Sequence, residues 1–135
     1  MNALPGREHP YALKRDEGRI CSCGVDFVIK AGEMQPGRGA AVLEYVTRKG
    51  EEPADHLHPT EDEMFYVVSG AVSFRCSGQT FDLAEGDFVF LPRGIKHGYT
   101  IRSDGPVRLL VITTPVRDGQ SGGWGGFVGE MERME

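Results

Sequence analysis

Three of the four histidines in this chain, together with one glutamate, fall in a spacing that could hold a metal ion. The first stretch opens at Gly50, reaches His56-Leu57-His58, then Glu63 after four intervening residues, and closes at Gly70. The second runs from Gly86 through the turn Pro92-Arg93-Gly94 to His97. Three imidazoles and a carboxylate suit a mid-to-late first-row divalent metal. His56-Leu57-His58 reads as part of a strand, and side chains alternate across a strand, so His56 and His58 share a face while Leu57 takes the other. Glu63 opens the next strand, and the turn before it brings the carboxylate back beside the histidine pair. Phe65 and Val67 follow Glu63 on the same face and give the site an apolar surround. Proline presets its own φ and glycine tolerates the left-handed region, so Pro92-Arg93-Gly94 forms a tight turn. That turn sends His97 into the interior, with Tyr99 and Ile101 on its face.

The spacing therefore predicts one divalent transition metal per chain (Fe, Mn, Ni, Co or Zn), held by His56, His58, Glu63 and His97. Four protein ligands leave about two positions open on a six-coordinate ion. Open positions mark a catalytic or ligand-binding centre. Glu63 could serve as ligand, as base, or as each in turn, and Tyr99 could donate to a substrate oxygen. These two are the candidate catalytic residues. Glu44 lies in a strand whose two faces, Val42/Glu44/Val46 and Leu43/Tyr45/Thr47, the pattern does not orient. Its role as a second acid or base stays open. Arg93 and Lys96 are expected at the surface, and so is His9.

The elements that must position these residues are short. Strands are expected at Val25 to Ala31, Ala41 to Thr47, Glu63 to Val68, Val72 to Arg75, Thr80 to Leu83, Phe88 to Leu91, His97 to Ile101 and Val107 to Thr113. Val72 to Arg75 and Thr80 to Leu83 read as a hairpin across Ser77-Gly78, and Phe88 to Leu91 must stop at Pro92. Glycine, at 19 of 135 residues, punctuates these runs as it does in antiparallel sheets with many tight turns. No helical period of any length intervenes, which indicates an all-β sandwich or barrel. Three regions are expected: an N-terminal arm over residues 1–24, a barrel over 25–116, and a Gly-rich segment with a short C-terminal helix over 117–135. The outward side chains Met64, Tyr66 and Val68 are expected to meet a second face or a partner.

The length fits one domain. A net charge of -5 with scattered basic residues argues against a nucleic-acid partner. No apolar run is long enough to cross a bilayer, and the first ten residues lack the apolar stretch of a secretory signal. The expectation is a cytoplasmic protein with no membrane partner. Three cysteines, an odd number, suit a reducing compartment. Cys21-Ser22-Cys23 lacks a matching pair and reads as two small side chains.

The two stretches resemble the paired motifs of the cupin superfamily, G-x5-H-x-H-x4-E-x6-G and G-x5-P-x-G-x2-H-x3-N. Gly50, His56, His58, Glu63 and Gly70 match the first throughout, and Gly86, Pro92, Gly94 and His97 match the second. Ile101 stands where the second motif ends in Asn, which puts the outer shell of the site in question. Glu63 to Gly70 and Gly86 to Gly94 are also similar to small single-domain bacterial cupins of the quercetin-dioxygenase-like kind. The resemblance implies a double-stranded β-helix, the jelly-roll barrel in which two sheets enclose the metal. It also implies a homodimer and a metal-dependent dioxygenase-type activity on a small aromatic or dicarbonyl substrate. A non-oxidative isomerase, cyclase or lyase, and a metal-containing binding protein without turnover, are the alternatives.

Overall fold

The computed structural model describes residues 10–31 and 39–115. The expected Gly-rich segment and helix of 117–135, and most of the first ten residues, lie outside them. Nine antiparallel strands run in chain order among the described residues: β1 (Arg19–Cys23), β2 (Val25–Ala31), β3 (Ala41–Thr47), β4 (Glu61–Ser69), β5 (Ala71–Cys76), β6 (Gln79–Ala84), β7 (Phe88–Leu91), β8 (His97–Ile101) and β9 (Val107–Pro115). They form a six-stranded sheet in the order β1-β2-β3-β9-β4-β7 and a three-stranded sheet in the order β6-β5-β8. The all-β jelly-roll expectation is met.

Period-two alternation drives the packing of the two layers. Leu43, Tyr45, Phe65, Val67, Leu109 and Val111 point inward from the larger sheet; Val72, Phe74, Tyr99 and Ile101 point inward from the smaller one. Phe74, Ile101, Leu43 and Leu109 are among the largest side chains removed almost entirely from water. Their burial, at ~25 cal/mol per Å2 of apolar area, supplies the core. Gly70 makes the corner between β4 and β5 at a φ of 96°. A Cβ there would lie 2.7 Å from the Val107 side chain, so the two layers meet at this corner only over glycine.

Two expectations need correction. Arg19–Cys23, placed in the arm by sequence, is a strand paired with β2 from Arg19↔Ile29 to Cys23↔Val25. Its pattern misleads because Ile20 is exposed while Cys21 is buried. His56-Leu57-His58 is an extended segment that joins the sheets through one isolated bridge, His56↔His97, and is no regular strand.

On the outer face of β4 and β7, Tyr66, Phe88 and Phe90 are 43%, 54% and 50% exposed, and no described residue covers them. Phe88 pairs with Tyr66 and Phe90 with Met64 across the two strands, so the three rings form one outward strip.

Candidate metal centre

One ligand-type atom from each of His56, His58, Glu63 and His97 lies within 4.8 Å of the others. Ligand atoms bonded to one ion at ~2.0–2.2 Å can be at most about 4.4 Å apart, so the cluster is a few tenths of an ångström from coordination distances. His58, Glu63 and His97 are all at least 95% buried.

Each residue arrives by a different route. Glu63 is the third residue of β4 and faces inward, opposite Leu91 on one side and Thr113 on the other. His97 is the first residue of β8. The backbones of His56 and His97 exchange two hydrogen bonds, each N–H donating to the other's carbonyl at 2.9 and 2.8 Å. That bridge holds the histidine segment against the smaller sheet, with Leu57 44% exposed and His58 turned inward. The Nδ1 of His56 lies 2.8 Å from the Ala54 carbonyl oxygen. A carbonyl can only accept, so Nδ1 carries the proton and Nε2 is left with its lone pair for a metal.

The turn before His97 is held from two sides. Gly94, at a φ of 76°, donates its N–H to the His58 carbonyl at 2.9 Å. Arg93 keeps about a third of its side chain at the surface, as expected from sequence, but is also paired. Its Nε and terminal nitrogen donate to the two carboxylate oxygens of Asp62 at 3.1 and 2.6 Å, and its backbone N–H adds a third bond at 2.9 Å. The guanidinium holds the Asp62 carboxyl below the usual carboxylate range. Because Asp62 adjoins Glu63, this fork ties the turn to the carboxylate ligand. A second clamp joins Arg75 to Asp55 at 2.8 Å, immediately before His56. Gly98, opposite Arg75, gives it room, since a Cβ there would collide with both partners.

Glu52 fastens the approach to the histidine segment. Its carboxylate accepts from the N–H groups of Gly50 at 2.7 Å and Ile101 at 2.9 Å. These bonds, the Ile101 amide foremost, lower its pKa from 4.5. A carboxyl whose folded pKa lies below its unfolded one stabilises the fold above the unfolded value. That contribution is lost as pH falls through the folded value. The melting temperature gap between wild type and Glu52→Gln should therefore narrow between about pH 7 and about pH 3. An equal gap at both ends would show that the charge of Glu52 contributes nothing.

The residues present fit a metal. His97 Nε2 and Glu63 Oε1 are 2.9 Å apart, yet both are buried without a hydrogen bond that satisfies them. Buried polar atoms in that condition are costly unless a shared partner meets them. A divalent cation is such a partner for two lone pairs facing one point.

Tyr99 lies inward as expected, with ring centroids 5.3 Å from Phe74 and 6.2 Å from Phe65. Its hydroxyl meets that of Tyr45 at 3.0 Å, a residue the sequence reading did not single out. Burial, above all, pushes the Tyr99 phenol up to about 12 and raises Tyr45 well above its ordinary value. Glu44, on the opposite face of β3, points away from the site and lies 3.7 Å from Arg108. The inward face is Leu43/Tyr45/Thr47 because β3 pairs with β9 in that register. Ile101, at the motif's Asn position, is 2% exposed and packs in the core.

The sequence profile of the cupin domain matches residues 43–113, more than half of the chain. The chain belongs to the cupin family. Among characterised proteins, this cupin is 29% identical over 104 residues to quercetin 2,3-dioxygenase of Bacillus subtilis (strain 168), covering 76% of the chain and 31% of that protein. It is 28% identical over 67 residues to the tetracenomycin polyketide synthase protein TcmJ of Streptomyces glaucescens, covering 50% of the chain and 45% of that protein. The cupin thus spans less than half the length of these relatives. Among solved structures, KdgF from Halomonas sp. superposes with a TM-score of 0.68 at 20% identity, covering 82% of this chain and 97% of that one. That likeness concerns the fold.

Proposed function

We propose that this cupin is a metal-dependent dioxygenase-type enzyme acting on a small aromatic or dicarbonyl substrate inside the barrel. The observation that carries the reading is the clustered His56, His58, Glu63 and His97 set, with His58, Glu63 and His97 buried and His56 partly exposed. The partial likeness to quercetin 2,3-dioxygenase supports the oxidative choice. A divalent transition ion held by these four residues would supply Lewis acidity and, for Fe, Mn, Co or Ni, a route for electrons to O2.

The chain's own residues do the rest. The carboxylate of Glu63 is placed to accept a proton from a hydroxyl or an activated C–H of the substrate. Tyr45 and Tyr99 share one hydrogen bond between two hydroxyls. One O–H of the pair donates to the other residue, and the second O–H is left to donate to a substrate oxygen. Phe65 and Phe74, beside Tyr99, exclude water and offer flat surfaces to an aromatic ring.

The test is O2 uptake by protein reconstituted separately with Fe, Mn, Co or Ni, over a panel of flavonols, catechols and 1,2- and 1,3-dicarbonyls. Uptake stoichiometric with substrate loss is expected for at least one pairing. Its absence across the panel would move the assignment to the second reading, proton transfer next to a carbonyl without oxygen, as in an isomerase or cyclase. The likeness to a polyketide synthase protein favours that reading specifically.

A further inference from the structure

Thr113 is wholly buried near the end of β9, and its Oγ1 has no hydrogen-bond partner among the described residues. An unsatisfied buried hydroxyl is uncommon enough to ask what it serves. The strand register answers in part. Thr113 pairs with Ala41 on β3 and with Glu63 on β4. Directly opposed residues share a face, with Cβ atoms about 4.5–5.5 Å apart. Ala41 offers no polar group, so Glu63 is the polar side chain directly across from this hydroxyl.

Glu63 needs a donor that its neighbours cannot be. A carboxylate that binds an ion through one oxygen keeps lone pairs on the other, and Glu63 is 2% exposed, too little for bulk water. The nearest ring nitrogens are Nε2 of His97 at 2.9 Å and Nε2 of His58 at 3.7 Å. As ligand atoms these nitrogens carry no proton to give. The Thr113 hydroxyl is a donor.

We propose that Thr113 is a positioning residue of the metal centre: unpaired in this structure, its Oγ1–H donates to a carboxylate oxygen of Glu63 once an ion is held there. That hydrogen bond would fix the plane of the carboxylate, whose Oε1 lies 2.9 Å from His97 Nε2 and whose Oε2 lies 3.7 Å from His58 Nε2. Outer partners of this kind commonly account for ~10–100-fold in metal affinity. Glu61, two residues before Glu63 on the same buried face, is the competing carboxylate diagonal to Thr113. A hydroxyl serving Glu61 alone would leave the metal unaffected.

The inference rests on the metal assignment above, and one experiment separates the two. Co(II) affinity is measured by chelator competition for wild type, Thr113→Val and Thr113→Ser, with the visible spectrum of each Co(II) form and the melting temperature of each metal-free form. Val matches the shape of Thr without its hydroxyl; Ser keeps the hydroxyl. The expected result is stoichiometric binding by wild type and about 10–100-fold weaker binding by Thr113→Val with an altered spectrum. Thr113→Ser should recover both, and the metal-free forms should melt alike. If Thr113→Val keeps the wild-type affinity and spectrum, or Thr113→Ser is as weak as Thr113→Val, the role of Thr113 is overturned while the metal site stands. If wild type itself takes up no Co(II), the metal assignment falls and this inference with it.

Discussion

Replacing both His56 and His97 with Ala should take metal occupancy from near one ion per chain to near zero. The two residues come from different elements, the bridge segment and β8, so the double change removes a ligand from each side of the cluster. Structural zinc in zinc-finger peptides, also four-ligand sites, binds with roughly 10–16 kcal/mol, which taken as a scale is about 2.5–4 kcal/mol per ligand if shared evenly. Two ligands then represent on the order of 10^4 to 10^6 in affinity. The fold should persist, because the hydrogen bonds joining His56 to His97 use backbone atoms that alanine also has. Elemental analysis after gel filtration, alongside circular dichroism, reads both quantities. Stoichiometric metal in the folded double variant would remove these residues from the ligand set.

Glu63→Gln should lose most turnover under the proposed chemistry while the barrel stays folded and binds some metal. Glutamine keeps the shape and one oxygen donor but gives up the negative charge and the capacity to accept a proton. A placed base commonly contributes ~10^2 to 10^4-fold, and a kcat loss of that order is expected. Tyr99→Phe should cost far less, since it deletes one hydrogen bond of about 1 kcal/mol net, or roughly fivefold in rate. Single-turnover rates on metal-matched samples separate the two effects from differences in loading. A Glu63→Gln rate within tenfold of wild type would place the proton transfer on another group.

The clustering of the four candidate ligands was legible because alternation belongs to any extended backbone. His56 and His58 share a face although their segment is no regular strand. The turn at Pro92-Arg93-Gly94 was legible from φ preferences alone, and β7 stops where Pro92 requires it. The strand Ala41–Thr47 was legible but its orientation was not, because Leu43/Tyr45/Thr47 and Val42/Glu44/Val46 are equally plausible inward faces until β9 selects one. Tyr45 was missed for that reason, and Glu44 kept open for the same one. The strand Arg19–Cys23 was hidden by an exposed isoleucine and a buried cysteine. The pairing of Arg93 was not legible because its partner Asp62 lies 31 residues earlier, and only the folded chain brings them together. Thr113 carries no local signal at all; its interest comes from what stands across the sheet.

The four candidate ligands do not belong to one layer. Glu63 comes from the six-stranded sheet, His97 from the three-stranded sheet, and His56 and His58 from the segment that bridges them. An ion held by all four would act as a rivet through both layers. The buried apolar side chains of both sheets are expected to close the barrel by themselves, so the rivet would bear less on whether the chain folds than on how fast the layers can part. Separating the sheets at the Thr113 end would require breaking coordination first, whereas the opposite end, where Thr47 pairs with Val107, is held by packing and by hydrogen bonds such as that from Ile101 to Glu52. The loaded protein would therefore be long-lived rather than merely stable, with resistance to heat and proteolysis set by the rate of metal loss.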